Sequence, residues 1–172
     1  ILRATERTRR SMEEKAGVKV VCETKEEGRL ITQEEIDRIQ SLPSVTRVNR
    51  MGSQTAYLSG LSPVTASESR EPDNQQVSVW SFDDQEKDGP FAAQSCRLTQ
   101  GRLIGAEDPR GALINEVFAQ ANGLSIGDTI TLETEEGRRA KVEVIGEYLS
   151  GSENRQGEGV FSVFRVENQI YM

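Results

Sequence analysis

The chain has 172 residues, 35% of them hydrophobic, 5% aromatic and 28% charged, and 21 basic against 28 acidic residues leave a formal charge of −7; that length bounds it to one or two small domains. Leu, Ile, Val and Phe make up 40 of the 172 residues, just above the ~20% below which chains tend toward disorder, so a lean core is expected. The absence of histidine excludes Ser-His-Asp and Cys-His catalysis, HExxH zinc sites and a histidine pH switch, and a pI near 4.8 argues against a nucleic-acid binder, whose groove needs clustered Lys and Arg.

In chain order, residues 1–16 read as a polar helix. Leu2, Thr5, Met12 and Ala16 make a thin stripe, while Glu6/Arg10, Arg9/Glu13 and Arg10/Glu14 sit at i,i+4 pairing distance. Such a helix lies on a surface or extends out of the fold, and Arg3, Arg7, Arg9 and Arg10 form either a salt-bridged face or a patch for anionic headgroups. The start on Ile1 without a charged and then apolar leader reads as an excised or processed piece. Val18 to Thr24 is β-rich and alternating, entered through Gly17 as a helix stop. After a turn at Glu26-Glu27-Gly28, Thr32-Gln33-Glu34-Glu35 matches a capping box with Thr32 at N-cap and Glu35 at N3. Ile36, Ile39 and Leu42 supply the expected buried face, and Pro43 ends the helix.

Val45 to Arg50 resumes a strand, with Thr55 to Leu58 continuing it beyond a break at Gly52, so residues 18–50 are expected to form a βαβ-like piece. Residues 61–75 are polar, carry Pro63 and Pro72, and read as a loop. Gln76 to Phe82 alternates, with Val77 and Val79 on one side and Trp80 and Phe82 on the other. Gly111 to Ile114 is a short buried strand, Asn115 caps a helix Glu116 to Ala121, and Asn122-Gly123 stops it. Thr129 to Thr134 and Ala140 to Tyr148 have the period-two pattern of a hairpin turned at Glu135-Glu136-Gly137. Residues 150–159 form a polar loop, and the segment of Val160, Phe161, Val163, Phe164 and Val166 matches neither period.

Candidate chemistry is thin. Asp84, Glu86 and Asp88 alternate before Gly89 like a calcium loop, but position 12 falls on Ser95 instead of Glu and Pro90 intrudes, so a solvated turn is expected. The pairs Glu26-Glu27, Glu34-Glu35 and Glu135-Glu136 are adjacent in sequence and point apart on any regular element, which leaves no built acid/base pair. Gly101-Arg102-Leu103-Ile104-Gly105 lacks the spacing of a phosphate loop. No catalytic, cofactor or metal-binding residue is assigned. Cys22 and Cys96 are either free thiols or one candidate disulfide closing a loop of roughly 75 residues, a crosslink of ~4 kcal/mol in the chain-entropy model and relevant only in an oxidising compartment.

The run from Gly101-Arg102 through Ala112-Leu113-Ile114-Asn115-Glu116, then Asn122-Gly123-Leu124-Ser125-Ile126-Gly127-Asp128-Thr129-Ile130-Thr131-Leu132 and Val142-Glu143-Val144-Ile145-Gly146-Glu147-Tyr148, resembles the extracytoplasmic core domain of MacB/FtsX-like ABC-transporter permeases. The N-terminal pieces "VKVVCE" and "TQEEIDRIQSLPSVTRV" resemble the start of the same domain. The resemblance implies an α+β fold: a stalk helix over 1–16, a porter-like βαβ subdomain over 17–90, an inserted β-rich Sabre-like subdomain over 91–150, and a loop and return strand over 151–172. It implies a second porter half beyond Met172. It also implies a non-enzymatic domain that couples cytoplasmic ATP hydrolysis to export or extracytoplasmic work by mechanotransmission. The implied partners are a separate ABC ATPase subunit and a second permease copy, with a membrane-fusion protein or lipoprotein and a peptide or small-molecule substrate as further candidates. The implied place is the extracytoplasmic face of a bacterial plasma membrane. The competing expectation from the residues is a free-standing secreted binding or adhesion module. A third is a hydrolase whose carboxylates, Asp84 or Asp88 among them, are brought together only by folding.

Overall fold

The computed structural model describes residues 19–25, 28–65, 75–87, 89–151 and 161–172, which belong to two units, Ile1–Val48 and Asn49–Met172. The polar helix expected over 1–16, with its arginine cluster, lies outside the described residues, as do Glu26, Glu27 and Asp88.

In the first unit the capping box folds as its spacing predicts. Helix α1 (Gln33–Gln40) starts at Thr32, whose hydroxyl accepts from the Glu35 N–H at 3.3 Å while the Glu35 carboxylate accepts from the Thr32 N–H at 2.9 Å. The flanking strands are a correction. Residues 19–24 and 45–50 carry no ladder pairing, and no described residue of this unit is buried: Ile36 and Ile39 are half-buried and Leu42 is 52% exposed. The β-prone side chains favour a pleated surface packed on one face, and no neighbouring strand among the described residues of this unit supplies one.

The second unit is a strand ring. Its elements are β1 (Met51–Leu58), β2 (Gln76–Phe82), the short helix α2 (Gly89–Ala92), β3 (Cys96–Gly101), β4 (Gly111–Asn115), α3 (Glu116–Asn122), β5 (Thr129–Glu133), β6 (Arg139–Ser150), two 3₁₀ turns (Ser162–Phe164 and Val166–Asn168) and β7 (Gln169–Tyr171). The sheet order is β3-β6-β4-β7-β2-β1-β5, and a further β5–β6 pairing closes β1, β2, β7, β4, β6 and β5 into a ring. Closure at β1–β5 rests on two register pairs, Tyr57 with Glu133 and Leu58 with Leu132. The 12-residue β6 makes the ring possible by serving two partners along one edge. Residues 139–143 pair with β5 and 146–150 with β3, while β4 runs parallel along the other edge. One extra residue, Ile145, bulges opposite the Ala112–Leu113 step, so the chain bends between the two tasks.

Inside the ring every strand contributes apolar side chains: Ala56, Val77, Val79, Ile114, Ile130 and Ile170 are each at most 4% exposed, with Phe118 of α3 plugged among them. On the outer face Tyr148, Tyr171 and Phe91 pack edge to face with centroids 5.1 to 5.6 Å apart, and Cys96, Leu113 and Ile145 surround them. The alternation expected for Gln76 to Phe82 is observed, Val77 and Val79 facing the ring core and Trp80 and Phe82 the aromatic face. Asn115 caps α3, its side chain accepting from the Val117 N–H at 2.8 Å, and Gly123 ends it at φ +63°.

Two features differ from the sequence expectations. Gly52 does not break β1 but lies within it opposite Ser81. The unassigned segment before β7 forms the two 3₁₀ turns, in which residues at a spacing of three eclipse, which explains why neither the helix nor the strand period fitted. The strands β1 and β2 share one sheet with β3 to β7, and the observed units divide at Val48 and Asn49.

Candidate functional site

The acidic run 83–87 is a structural turn. Arg50 Nε donates to both oxygens of Asp83 at 2.8 and 3.0 Å and its backbone N–H donates to Oδ2 at 2.9 Å, so the arginine holds the Asp83 carboxyl below its ordinary range. Asp84 accepts from the Lys87 N–H and ammonium at 3.0 and 2.7 Å, and its backbone is clasped by the Asn49 amide in both directions at 3.1 Å. Among the described residues no group of three or more Asp, Glu or Cys is placed to hold a metal ion.

The Gly101-to-Gly105 segment serves a similar purpose. Arg102 engages both oxygens of Asp108, which also accepts from the Gly105 N–H at 3.0 Å. The guanidinium first, and the backbone donor second, hold the Asp108 carboxyl at about 2. This pair staples the loop that carries the chain from β3 to β4. Glu35 is held at about 2 by the Thr32 N–H and then Arg29, while Glu135 and Glu136 sit in the β5–β6 turn. Asp83, Asp108 and Glu35 are thus ionised and committed to folding, which leaves them unsuited to proton transfer.

Two asparagines do the work of a strand. Asn122 accepts from the Ser62 N–H and donates to the Ser62 carbonyl, both at 2.9 Å. Fully buried Asn168 accepts from the Val64 N–H at 2.7 Å and donates to the Val64 carbonyl at 2.8 Å and the Ser162 carbonyl at 2.9 Å. The alternate residues Ser62 and Val64 are therefore held by side-chain amides as a ladder would hold them. Sequence reasoning read 61–65 as plain loop, and the two partners, 60 and 104 residues away, left no local signal.

Next to this clamp lies a poorly satisfied charge pair. Arg165 and Glu167, 9% and 4% exposed, touch through a single 3.5 Å contact, while Arg165 Nε and Nη1 and Glu167 Oε2 have no hydrogen-bond partner. Desolvating two charges for one long contact is a net cost. Replacing both, Arg165→Met with Glu167→Leu, is expected to leave stability unchanged or raise it by about 1 to 4 kcal/mol, whereas Glu167→Ala alone costs about 3 kcal/mol or more. Urea unfolding of the parent, the double variant and Glu167→Ala checks it, and a double variant no more stable than Glu167→Ala refutes it.

The first unit carries a groove of about 580 Å³ lined by Cys22, Lys25, Arg29, Arg38, Ile39 and Leu42 among others, with Arg29 bound to Glu35 across it. Both cysteines are free thiols: Cys22 is exposed, and Cys96 is buried with Sγ 4.0 Å from the Tyr171 hydroxyl. A thiol-reactive mass tag is accordingly expected to add once to native protein, at Cys22, and twice after unfolding without reductant; no tag on the unfolded chain demonstrates the disulfide instead.

Among the described residues no helix is long and apolar enough to cross a membrane. No protein-family model matches the chain. The chain is similar in structure to the extracellular domain of the noncanonic ABC-type transporter YknZ from Gram-positive bacteria, with a TM-score of 0.47 at 14% identity over 82% of this chain and 61% of that one; a likeness of that depth carries no argument. In sequence the chain is 33% identical over 85 residues, 47% of its length, to the uncharacterized ABC transporter permease YclI of Bacillus subtilis strain 168, and the match spans 18% of that permease. The resemblance to an ABC-transporter permease read from the motifs is borne out by that relative.

Proposed function

We propose that the chain is the extracytoplasmic domain of a MacB/FtsX-like ABC-transporter permease, a non-enzymatic lever and docking surface that couples ATP hydrolysis on the cytoplasmic side to export or to work outside the membrane. The observation that carries this reading is the 33% identity over 85 residues to a permease. The stapled carboxylates support a mechanical role over a catalytic one, since the partners of Asp83, Asp84 and Asp108 hold turns and loops in shape. The ATPase subunit, a second permease copy and an outer partner belong to the same proposal.

Within it, residues 1–16 are the stalk, 17–90 the porter-like part, 91–150 the Sabre-like part and 151–172 the return toward the porter-like part. The β-prone segments 19–24 and 45–50 without ladder partners, and the half-buried Ile36 and Ile39, are what a helix-on-sheet layer looks like when strands are lacking.

The test starts with the parent gene, where apolar runs of ~20 residues are expected before Ile1 and again after the strands that complete the porter layer. In cells expressing the whole permease, a membrane-impermeant maleimide is then expected to label exposed Cys22 from outside. Labelling only after permeabilisation overturns the extracytoplasmic placement, and a cleavable leader with a stop codon soon after Met172 overturns the permease.

A further inference from the structure

One edge of β1 is paired over only part of its length. The register with β2 runs unbroken from Met51 with Phe82 to Tyr57 with Gln76, whereas β5 meets β1 only at Tyr57 and Leu58 before the chain turns at residues 134–137. Two flanking bonds fix which way the backbone faces. The Asp83 N–H donates to the Arg50 carbonyl on the β2 side at 3.2 Å, and the Ser59 N–H donates to the Thr131 carbonyl on the β5 side at 3.0 Å. Antiparallel ladders alternate, so Gly52, Gln54 and Ala56 address β2, while Met51, Ser53 and Thr55 turn their N–H and C=O groups to the side that β5 leaves open. Among the described residues no strand pairs with those three on that side, and Met51 to Thr55 are all exposed.

Open edges are ordinarily blunted by a charge, a proline or a bulge. β3, at the end of the sheet order, follows that rule with exposed Arg97 and the bulge at Thr99. Met51 to Leu58 has none of the three. In a chain with 28% charged residues and a net charge of −7, this uncharged run is where two copies can approach without setting like charges opposite one another. The hydrogen-bonding pattern is also self-complementary. When a second copy lies antiparallel with Ser53 opposite Ser53, Met51 meets Thr55 and Thr55 meets Met51, so every outward group faces its complement and each pair exchanges both bonds.

We propose that the free edge of β1, Met51 to Thr55, pairs with the same edge of a second copy of this chain in an antiparallel, two-fold symmetric dimer. The contact uses each edge once, so association stops at two copies. So short a contact makes the dimer weak and concentration-dependent. The edge belongs to the chain whether or not it sits in a permease, so the pairing and the transport reading stand or fall separately.

In sedimentation equilibrium of the 172-residue chain from about 1 μM to about 1 mM, the mass is expected to rise from 19.1 kDa toward twice that value. Ser53→Lys and Ser53→Glu each set like charges face to face on the two-fold axis and are expected to weaken pairing by about fivefold or more, while their equimolar mixture, which sets Lys against Glu, recovers it. Recovery in the mixture also shows that neither variant has lost its fold. Hydrogen exchange supplies the local readout: protection of the Met51, Ser53 and Thr55 amides is expected to rise with concentration, and that of Gly52 and Gln54, which address β2, to stay constant. A chain that remains monomeric throughout overturns the pairing and leaves the edge to a strand of another protein. A dimer that ignores both Ser53 variants, or a mixture no tighter than its components, overturns it as well.

Discussion

Replacing Asn168 by alanine is expected to lower the melting temperature by on the order of 10 °C, the equivalent of about 3 to 4 kcal/mol in a chain of this size. The residue has no exposed surface and makes three hydrogen bonds, so its truncation orphans the N–H and C=O of Val64 and the carbonyl of Ser162 together. Each buried group left without a partner costs about 1 to 3 kcal/mol, and part of that is recovered where Val64 is only half-buried. Asn168→Asp is expected to be at least as damaging at neutral pH: it still accepts from Val64 but turns a carboxylate on two carbonyls. Asn122→Ala, which releases the more exposed Ser62, is expected to cost about 1 kcal/mol. Calorimetry of the three variants decides it, and an Asn168→Ala protein melting with the parent refutes the clamp.

Gly101→Ala is the second large effect, at about 3 to 5 kcal/mol. Gly101 stands at φ +72° opposite Gly146 where β3 leaves β6, and a Cβ there would lie 2.2 Å from the Ile145 carbonyl oxygen and 2.8 Å from the Gly146 Cα. Those atoms are backbone held by the ring, so neither can step aside as a side chain would. Gly123 supplies the control: its φ is +63° but nothing lies within 4 Å of a Cβ there, so Gly123→Ala carries the left-handed penalty alone, about 1 kcal/mol. Denaturant midpoints of the two variants separate conformational strain from backbone collision, and equal midpoints contradict the collision.

Both predictions concern contacts that no stretch of sequence announces, and that marks the boundary of what could be read. The Thr32 and Glu35 box, the Asn115 cap, the Gly123 stop, the β5–β6 hairpin and the two-faced Gln76 to Phe82 strand were legible because each rests on interactions within a few residues. β3 escaped notice because Cys96 to Gly101 has one buried residue and a bulge at Thr99, so it is held by β6 and not by its own pattern. The strands expected at 18–24 and 45–50 failed for the complementary reason: propensity was present and a partner was not. In the site region, the motif order carried the permease resemblance, while the roles of Arg102 with Asp108 depended on a loop returning on itself.

The sequence by itself determined where helices start and stop, which faces of strands are apolar, and that histidine chemistry is absent, since propensity, capping and composition act locally. Only the tertiary structure decided that β6 bends to serve two partners, that the strands close into a ring, and that Asn168 stands in for a strand. The physical reason is that pairing, desolvation and steric closeness are properties of atoms far apart along the chain, and their energies exist only once folding has brought them together.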